Sequence, residues 1–207
     1  MQYYHNIITQ KSFDFLKEFN ADFDFVLIGG WAVFLYSRAL KSKDIDIIVD
    51  YENLAKLKEK FAVFKNDRLK KYEIQTGEFD VDIYVSHYSY LGVEVSEIEK
   101  RVFSKKGFQI PELEALFILK LFAWHNRRGS AKGQKDELDI FSLTFLPEFD
   151  WKKYWELIKL FNFSNYHKNF TTLLKKTRQI PELNINKQQM AKIRKTILEK
   201  LESSKFD

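Results

Sequence analysis

The sequence predicts an α+β protein, with a mixed sheet and flanking helices in its first half and a helical bundle in its second half. Two observations support this prediction. Short alternating apolar segments follow one another up to residue 110, and longer segments with helical apolar spacing fill residues 111–207. We therefore expect two domains, residues 1–110 and residues 111–207.

The elements of the first half follow from apolar periodicity and turn residues. Helical spacing predicts helices at 10–20, 31–39 and 52–64. Alternating apolar residues predict strands at 24–30, 43–50, 70–77, 78–86, 101–103 and 108–110. The strand at 24–30 should enter a glycine turn at Gly29 and Gly30.

The apolar pattern changes from strand-like to helical spacing at Pro111. This proline is expected at the first position of a long apolar helix over 111–128. The segment "GSAKGQ" at 129–134 is expected to be a loop. Further helices are expected at 135–146, 151–161, 165–177 and 187–202.

Composition excludes several classes of function. The chain has no Cys, which excludes a disulfide framework, a thiol nucleophile and a Cys-ligated zinc or iron–sulfur site. The longest apolar run, Phe25 to Tyr36, is too short to span a bilayer. The N-terminus has no basic region followed by an apolar core. We expect a cytoplasmic protein without a membrane partner.

The charge of +5 is unevenly distributed. Residues 1–110 contain 16 basic and 17 acidic residues, whereas residues 111–207 contain 18 and 12. Within the second half, residues 151–207 contain 13 basic and five acidic residues. This asymmetry suits an enzyme domain joined to a module that binds a polyanion. A solvated, lysine-rich surface would explain it equally well.

Two pairs of aspartates occupy alternate positions on predicted strands. Asp44 and Asp46 are i, i+2 neighbours, as are Asp80 and Asp82, so each pair points to one face of its strand. If the strands are neighbours, three or four carboxylates converge, which is costly unless a divalent cation is present or the groups are protonated. Oxygen ligands favour Mg²⁺ or Mn²⁺. An acidic solvent face on an edge strand is the alternative.

Gly29 and Gly30 lie between an apolar strand and a predicted helix. A glycine turn at the start of a helix exposes backbone N–H groups that can bind phosphate. The dinucleotide and P-loop fingerprints are absent, because the later Gly and the Lys-Ser/Thr pair are missing. A phosphate-binding turn beside paired carboxylates suits chemistry on a nucleoside triphosphate.

The succession of apolar strand, Gly-Gly, helix and Asp-x-Asp resembles the DNA polymerase β-like nucleotidyltransferase superfamily. Thirteen residues separate Gly30 from Asp44, within the spread of that superfamily. The resemblance implies a nucleotidyltransferase-fold sheet with catalytic, metal-binding carboxylates at Asp44, Asp46 and Asp82, with Asp80 in reserve for the third position. It places Gly29, Gly30 and Ser42 at the phosphates. Relatives often have Arg four residues before the first Asp, where this chain has Leu40, with Arg38 and Lys41 nearby.

A narrower resemblance covers "IPELEALFILKLFAWHNRRGSAKGQKDELDIFSL", residues 110–143. It looks like the segment of the AbiEii-type family in which a Lys-bearing helix precedes a Lys-Asp-x-x-Asp helix. That family includes toxins of type IV toxin–antitoxin systems. The resemblance implies an NTP substrate, Mg²⁺ or Mn²⁺, an RNA or tRNA acceptor bound by the basic half, and an antitoxin partner.

Lys120 is the one polar residue between Ala115 and Trp124. A buried ammonium needs a partner or gives up its proton, and triphosphate oxygens or the acidic patch would supply one. A lysine that reaches solvent past the helix end is the alternative. Asp136 and Asp139 fit either capping and surface pairing or a site.

The function expected from these observations is Mg²⁺-dependent transfer of a nucleoside monophosphate to an acceptor hydroxyl. Lys120 would neutralise phosphate charge. One alternative is a catalytically silent module that binds nucleic acid or a protein partner. Another is an enzyme that nucleotidylates a protein or a small molecule, because one catalytic core serves many acceptors.

Overall fold

The computed structural model describes the backbone of residues 2–205 and the side chains of residues 6–205. The chain divides into two compact units, Met1–Glu112 and Leu113–Asp207. The sheet lies in the first unit, and the second unit is built of helices. The α+β class predicted from the sequence is therefore confirmed.

The first unit is a seven-stranded mixed sheet with helices. Its strands are β1 (Val26–Ile28), β2 (Ile45–Ile48), β3 (Val63–Asn66), β4 (Lys71–Gln75), β5 (Asp80–Tyr84), β6 (Val102–Lys105) and β7 (Phe108–Pro111). Its helices are α1 (Gln2–Asp22), α2 (Gly29–Ser37), α3 (Tyr51–Lys60) and α4 (Val95–Glu99). The strand order is β3-β4-β5-β2-β1-β7-β6. Strand β2 runs parallel to β5, β1 runs parallel to β7, and the other neighbours are antiparallel.

Alternation on the central strands separates an apolar face of the sheet from a polar one. Ile47 on β2 and Ile83 on β5 are paired and fully buried. Burying a side chain of this size stabilises a fold by about 1.5–3 kcal/mol. A register slip of one residue would expose such side chains, so the apolar face fixes the register of Asp46 and Asp82 on the opposite face.

Helix α2 is held at both ends by polar contacts of its aromatic residues. The indole nitrogen of Trp31 donates a hydrogen bond to Ser12 Oγ on α1 at 3.0 Å. The hydroxyl of Tyr36 donates to the carbonyl oxygen of Pro111 at 2.7 Å. Both aromatic side chains are buried. These contacts fix the first turn of α2, which begins at Gly29 immediately after β1.

Two predictions for the first unit are wrong in detail. Helix α3 ends at Lys60 rather than at residue 64, because 63–66 pair with β4 as strand β3. Pro111 does not begin the long helix. It ends β7 opposite Val102, its carbonyl is taken by Tyr36, and α5 begins at Leu113. Helix α4 lies in a region, 86–100, where no helix was predicted from apolar spacing.

The second unit consists of helices joined by short connections. They are α5 (Leu113–Arg127), α6 (Ala131–Thr144), α7 (Trp151–Leu160), α8 (Ser164–Lys176), a short 3₁₀ helix (Pro181–Leu183) and α9 (Lys187–Ser203). Helix α5 contacts α6, α7 and α8, and every residue of 113–121 is buried. No helix within residues 2–205 is long and apolar enough to cross a membrane.

The loop predicted at 129–134 is wrong, because α6 begins at Ala131. Ser130 caps this helix by accepting a hydrogen bond from the Gly133 backbone N–H at 3.0 Å. A Cβ at Gly133 would lie 2.2 Å from the carbonyl oxygen of Arg127. The glycine that suggested a loop instead allows α5 and α6 to approach closely.

Candidate functional site

Asp46 and Asp82 lie side by side in the middle of the sheet. They occupy paired positions on the parallel strands β2 and β5. Each lies between two buried apolar residues of its strand, so both carboxylates are on the polar face. Adjacent carboxylates repel each other unless a positive charge lies between or beside them. The structure thus brings together two of the three aspartates singled out in the sequence.

Gly29 makes the close approach between α2 and Asp46 possible. Its φ is +66°, in the left-handed region that residues with a Cβ avoid. A Cβ built at Gly29 would lie 2.0 Å from Asp46 Oδ2 and 2.6 Å from its Cγ. Glycine is therefore required at position 29 for two reasons. The backbone adopts a left-handed conformation there, and the carboxylate of Asp46 occupies the space that a Cβ would need.

The first turn of α2 begins at this glycine. Ile28, the residue before the helix, provides no side-chain cap. Helix N-termini carry a partial positive charge and attract anions. Ile28 pairs with Asp46 across β1 and β2. The Gly29–Gly30 turn, which follows Ile28, therefore begins beside Asp46.

Asp44 lies in a bend before β2 and not in the strand predicted at 43–50. Its Oδ1 accepts a hydrogen bond from the backbone N–H of Asp80 at 3.4 Å, so its carboxylate faces the start of β5. Ser42 is buried, and its hydroxyl donates to the carbonyl oxygen of Asp44 at 3.1 Å. Ser42 therefore stabilises the bend that carries Asp44. The side chain of Asp80 is exposed.

Lys71 on β4 supplies the counter-charge nearest to the paired aspartates. Its Nζ lies 2.6 Å from Asp82 Oδ2 and 2.9 Å from Glu73 Oε1. The Lys71 side chain is 12% exposed, and those of Asp82 and Glu73 are 19% and 18% exposed. Glu73 lies opposite Asp82 across β4 and β5, which explains why one lysine reaches both carboxylates.

The electrostatics of this cluster are set by burial and by unequal numbers of charges. Burial and the charge of Asp46 raise the pKa of Asp82 to about 6, although Lys71 opposes the shift. Burial alone would lower the pKa of Lys71, but its bonds to Asp82 and Glu73 outweigh burial and raise it. The hydrogen bond from Lys71 lowers the pKa of Glu73. Lys71 is the one ammonium paired in this cluster, against the carboxylates of Glu73, Asp82 and the neighbouring Asp46, so the cluster retains excess negative charge.

The carboxylates can be tested as a site for a divalent cation. Carboxylate oxygens are the donors that Mg²⁺ and Mn²⁺ prefer, and the excess negative charge beside Asp46 favours a cation. Within residues 6–205, however, no three His, Cys, Asp or Glu side chains are grouped as ligands of one metal ion. Asp82 contacts Lys71 instead, and Asp44 contacts a backbone amide. Donor type and charge fit a divalent cation, which would have to compete with Lys71 for Asp82.

Lys120 is buried in the second unit and has partners there. Its Nζ lies 2.7 Å from Asp139 Oδ2 and 3.6 Å from Asp136 Oδ1, both on α6. The two aspartates are almost completely buried, so surface pairing does not explain them. At 2.7 Å the contact between Lys120 and Asp139 Oδ2 is a buried ion pair, and within the described residues Asp139 Oδ1 has no hydrogen-bond partner. The alternative of a lysine that reaches solvent is wrong.

The cations at the end of α5 differ in their contacts. Arg127 donates to Asp136 through Nε and, at 2.9 Å, through Nη2. Arg128 is exposed, and its Nη1 donates to Asn169 Oδ1 at 3.2 Å. Arg127 therefore belongs to the buried charge network of Lys120.

The residues around Leu40 do not restore the arginine that relatives often have there. Arg38 has a φ of +57° after the end of α2, and its guanidinium lies 5.1 Å from the ring centroid of Phe34. Lys41 Nζ donates to Gln10 Oε1 at 3.4 Å. Within residues 6–205, neither Arg38 nor Lys41 forms an ion pair or hydrogen bond with the carboxylates of the candidate site.

Lys71 and Glu73 are the residues that sequence reasoning missed. Both lie in the predicted strand at 70–77, at alternate positions of "KYE". A polar i, i+2 pair on a strand next to "DVD" was the available signal, because antiparallel neighbours place such residues on one face. Glu73 does pair with Asp82 across β4 and β5. If the two predicted strands are treated as a hairpin, the sequence pattern is therefore sufficient to place Lys71 and Glu73 beside Asp82.

No protein-family model matches the chain, and no curated protein matches it. Similar solved structures include JHP933 from Helicobacter pylori, with 18% identity, a TM-score of 0.45 and coverage of 88% of this chain and 87% of that one. A candidate nucleotidyltransferase from H. pylori has 18% identity, a TM-score of 0.46 and coverage of 88% and 90%. An antigenic nucleotidyltransferase-like protein from Paracoccidioides brasiliensis has 17% identity, a TM-score of 0.39 and coverage of 87% and 96%. Similarity at this level does not carry an activity from one protein to another.

Proposed function

We propose that the chain is a nucleotidyltransferase that moves a nucleoside monophosphate from an NTP to an acceptor hydroxyl. In this reaction a bond forms between the acceptor oxygen and the α-phosphorus, and the bond from that phosphorus to pyrophosphate breaks. The observation that supports the proposal is the row formed by Gly29, which directly follows β1, Asp46 on β2 and Asp82 on β5, three strands that are neighbours in the sheet. It joins a helix N-terminus suited to phosphate with carboxylates suited to a hard cation.

The three aspartates share one proposed role, and Asp82 has a second. Asp44, Asp46 and Asp82 would hold Mg²⁺ or Mn²⁺, which supplies charge neutralisation at the phosphates when bound. Asp82 is the proposed acceptor of the proton from the attacking hydroxyl, because it is buried beside Asp46 and its pKa is raised to about 6. Asp80 is the less suitable third carboxylate, since its side chain is exposed.

The remaining proposed ligands bind the nucleotide. Gly29 and Gly30 would offer backbone N–H groups to the phosphates, at the helix start that has no side-chain cap. Ser42 would assist through the bend that positions Asp44. Lys120 is proposed to neutralise phosphate charge, a role in which its ion pair with Asp139 would keep the ammonium protonated.

RNA, including a tRNA end, is the proposed acceptor. The excess of basic residues over 151–207 supports a polyanionic acceptor. The resemblance of residues 110–143 to AbiEii-type proteins leads us to propose a toxin-like role opposed by an antitoxin protein in the cytoplasm. Growth arrest on expression, relieved by Asp46→Asn, would support that role, and arrest by both forms equally would contradict it.

One observation favours a silent module as the second candidate. Lys71 already neutralises part of the charge at Asp82 and Glu73, so the cluster has an internal counter-ion. A silent module would bind RNA without nucleotide and would show no metal-dependent affinity for NTP. The two candidates are therefore separated by whether NTP affinity depends on Mg²⁺.

The test is transfer of an α-phosphate label from each NTP in the presence of Mg²⁺ to total cellular RNA and to protein. Asp44→Asn with Asp46→Asn should abolish labelling, because the site loses two of its negative charges. Asp80→Asn is the control for loss of a neighbouring exposed carboxylate and should keep activity. Labelling that survives in the double variant would refute the proposal. Labelled protein with unlabelled RNA would refute the RNA acceptor alone.

A further inference from the structure

A basic cleft lies in the second unit, between the end of α8 and the start of α9. It has a volume of about 350 Å³ and is lined by Arg178, Lys187, Ala191 and Arg194. Sites for small ligands typically measure about 300–1,000 Å³, so the cleft has room for one nucleotide unit. Neither the proposed catalytic residues nor the Lys120 network contributes to its lining.

The connection between α8 and α9 brings two of these cations together. Ile180 and Ile185 form an antiparallel bridge with two reciprocal backbone hydrogen bonds, at 2.8 and 3.0 Å. Arg178 precedes this bridge by two residues and Lys187 follows it by two. The bridge closes a small loop. Arg178 and Lys187, which are nine positions apart in sequence, therefore lie near each other at the two ends of this loop.

Helix α9 supplies the other wall. Lys187, Ala191 and Arg194 fall at i, i+4 and i+7, which places them on one face of the helix. Ala191 is small and leaves the middle of this face open between the two cations. Arg194 Nη1 donates a hydrogen bond to the carbonyl oxygen of Thr177 at 3.0 Å, which fixes the guanidinium at the cleft.

The charge of the cleft is of one sign. None of its four lining residues is acidic, and within residues 6–205 no carboxylate forms an ion pair with Arg178, Lys187 or Arg194. Residues 175–195 contain seven basic residues and one acidic residue, Glu182, which is exposed and does not line the cleft. Three converging cations without a counter-ion repel one another, and a polyanion relieves that repulsion.

We propose that this cleft binds the phosphodiester backbone of RNA. Arginine presents a planar set of donors that matches phosphate oxygens, and the pair Arg178 and Arg194 would bracket such a group while Lys187 adds a point charge. Phosphate binding follows from the cleft itself, whereas RNA as the source of the phosphate rests on the proposed function. The cleft would hold the body of the acceptor and leave its reacting hydroxyl free.

The experiment measures binding of a fluorescent single-stranded RNA of about 20 nucleotides to the full chain over a range of salt concentrations. The test variant is Arg178→Gln with Lys187→Gln, and Arg194 is retained because it also bonds to Thr177. Lys192→Gln with Lys200→Gln is the matched control, with the same charge change at exposed positions of α9 outside the cleft. Circular dichroism and urea unfolding establish that both variants are folded.

The cleft variant should bind RNA at least tenfold more weakly than wild type, and the control should lose less than threefold. The slope of log affinity against log salt should fall by about 1.4 in the cleft variant, since each phosphate contact contributes about 0.7 for a single strand. Equal losses in the two variants would overturn the proposal, because general charge would then explain binding. Unchanged RNA affinity with lost binding of inorganic phosphate, or of anionic lipid vesicles, would overturn RNA as the ligand.

Asp46→Asn separates this proposal from the catalytic one. It should bind RNA like wild type while failing to transfer nucleotide. If Asp46→Asn still transfers nucleotide but the cleft variant has lost RNA affinity, the proposed catalytic site fails and the RNA site stands. If the cleft variant binds RNA normally while Asp46→Asn is inactive, the RNA site fails and the catalytic proposal stands.

Discussion

Replacing Gly29 by Ala tests the close approach on which the candidate site depends. The new methyl would lie 2.0 Å from Asp46 Oδ2, 2.6 Å from its Cγ and 2.7 Å from its Cβ. A residue with a Cβ also meets a cost of about 1–2 kcal/mol in the left-handed region that Gly29 occupies. Overpacking a filled position adds about 1–3 kcal/mol. The free energy of unfolding should therefore fall by about 2–5 kcal/mol.

Gly77→Ala is the matched control for this substitution. Gly77 has a φ of +87°, but a Cβ there would meet nothing within 4 Å. The free energy of unfolding of Gly77→Ala should therefore fall only by the cost of the left-handed backbone conformation, about 1–2 kcal/mol. Urea unfolding followed by circular dichroism, with m-values compared among variants, gives both numbers. The difference between the two variants isolates the contact with Asp46.

The double variant with Asp46→Ala provides a further check. Removing Oδ2 and Cγ of Asp46 deletes two of the three close contacts, and the one to Cβ at 2.7 Å remains. The cost of Gly29→Ala should therefore be smaller by about 0.5–3 kcal/mol in the Asp46→Ala background. Equal destabilisation by Gly29→Ala and Gly77→Ala, or strict additivity with Asp46→Ala, would refute the reasoning.

Two more predictions concern the lysines. Lys71→Met removes the cation that competes for Asp82, so Mn²⁺ affinity measured by calorimetry should rise about tenfold, or about 1.4 kcal/mol, with Lys71→Arg close to wild type. Unchanged or weaker Mn²⁺ binding would show that Lys71 and the metal do not share Asp82. Lys120→Met leaves Asp139 buried without its ammonium, and urea unfolding should show a loss of about 3–5 kcal/mol. Adding Asp139→Leu should recover most of that loss, and no recovery would mean that the two charges are not coupled.

The sequence predicted the sheet and the helical half because their periodicities are strong. Alternation of Ile47 with Asp46, and of Ile83 with Asp82, follows from one apolar face and required no knowledge of neighbouring strands. The helix over 113–127 was predictable because its residues from Ala115 to Trp124, apart from Lys120, are apolar on every side. These features depend on local sequence alone.

The errors arise where tertiary contacts decide local structure. Residues 63–66 continue the pattern of α3, but pairing with β4 makes them a strand. Gly133 suggested a loop, whereas it allows close packing behind the Ser130 cap. Asp44 was expected within the strand, but Ser42 holds it in a bend.

The charges at the site were only partly predictable. An isolated sequence shows that Asp46 and Asp82 need a counter-charge and does not show which residue supplies it. Pairing of β4 with β5 brings Lys71 to Asp82, and packing of α5 against α6 brings Lys120 to Asp139. Both partners come from strand or helix pairings that are set by the fold as a whole.

The most direct test of the central claim compares one NTP labelled at the α-phosphate with the same NTP labelled at the γ-phosphate, using the full chain, Mg²⁺, and cellular RNA and protein as acceptors. Nucleotidyl transfer predicts that the acceptor takes label from the α-position only, that γ-label is recovered as pyrophosphate, and that Asp46→Asn abolishes both signals. Acceptor labelled from the γ-position, or no label from either in the presence of intact RNA and protein, would contradict it.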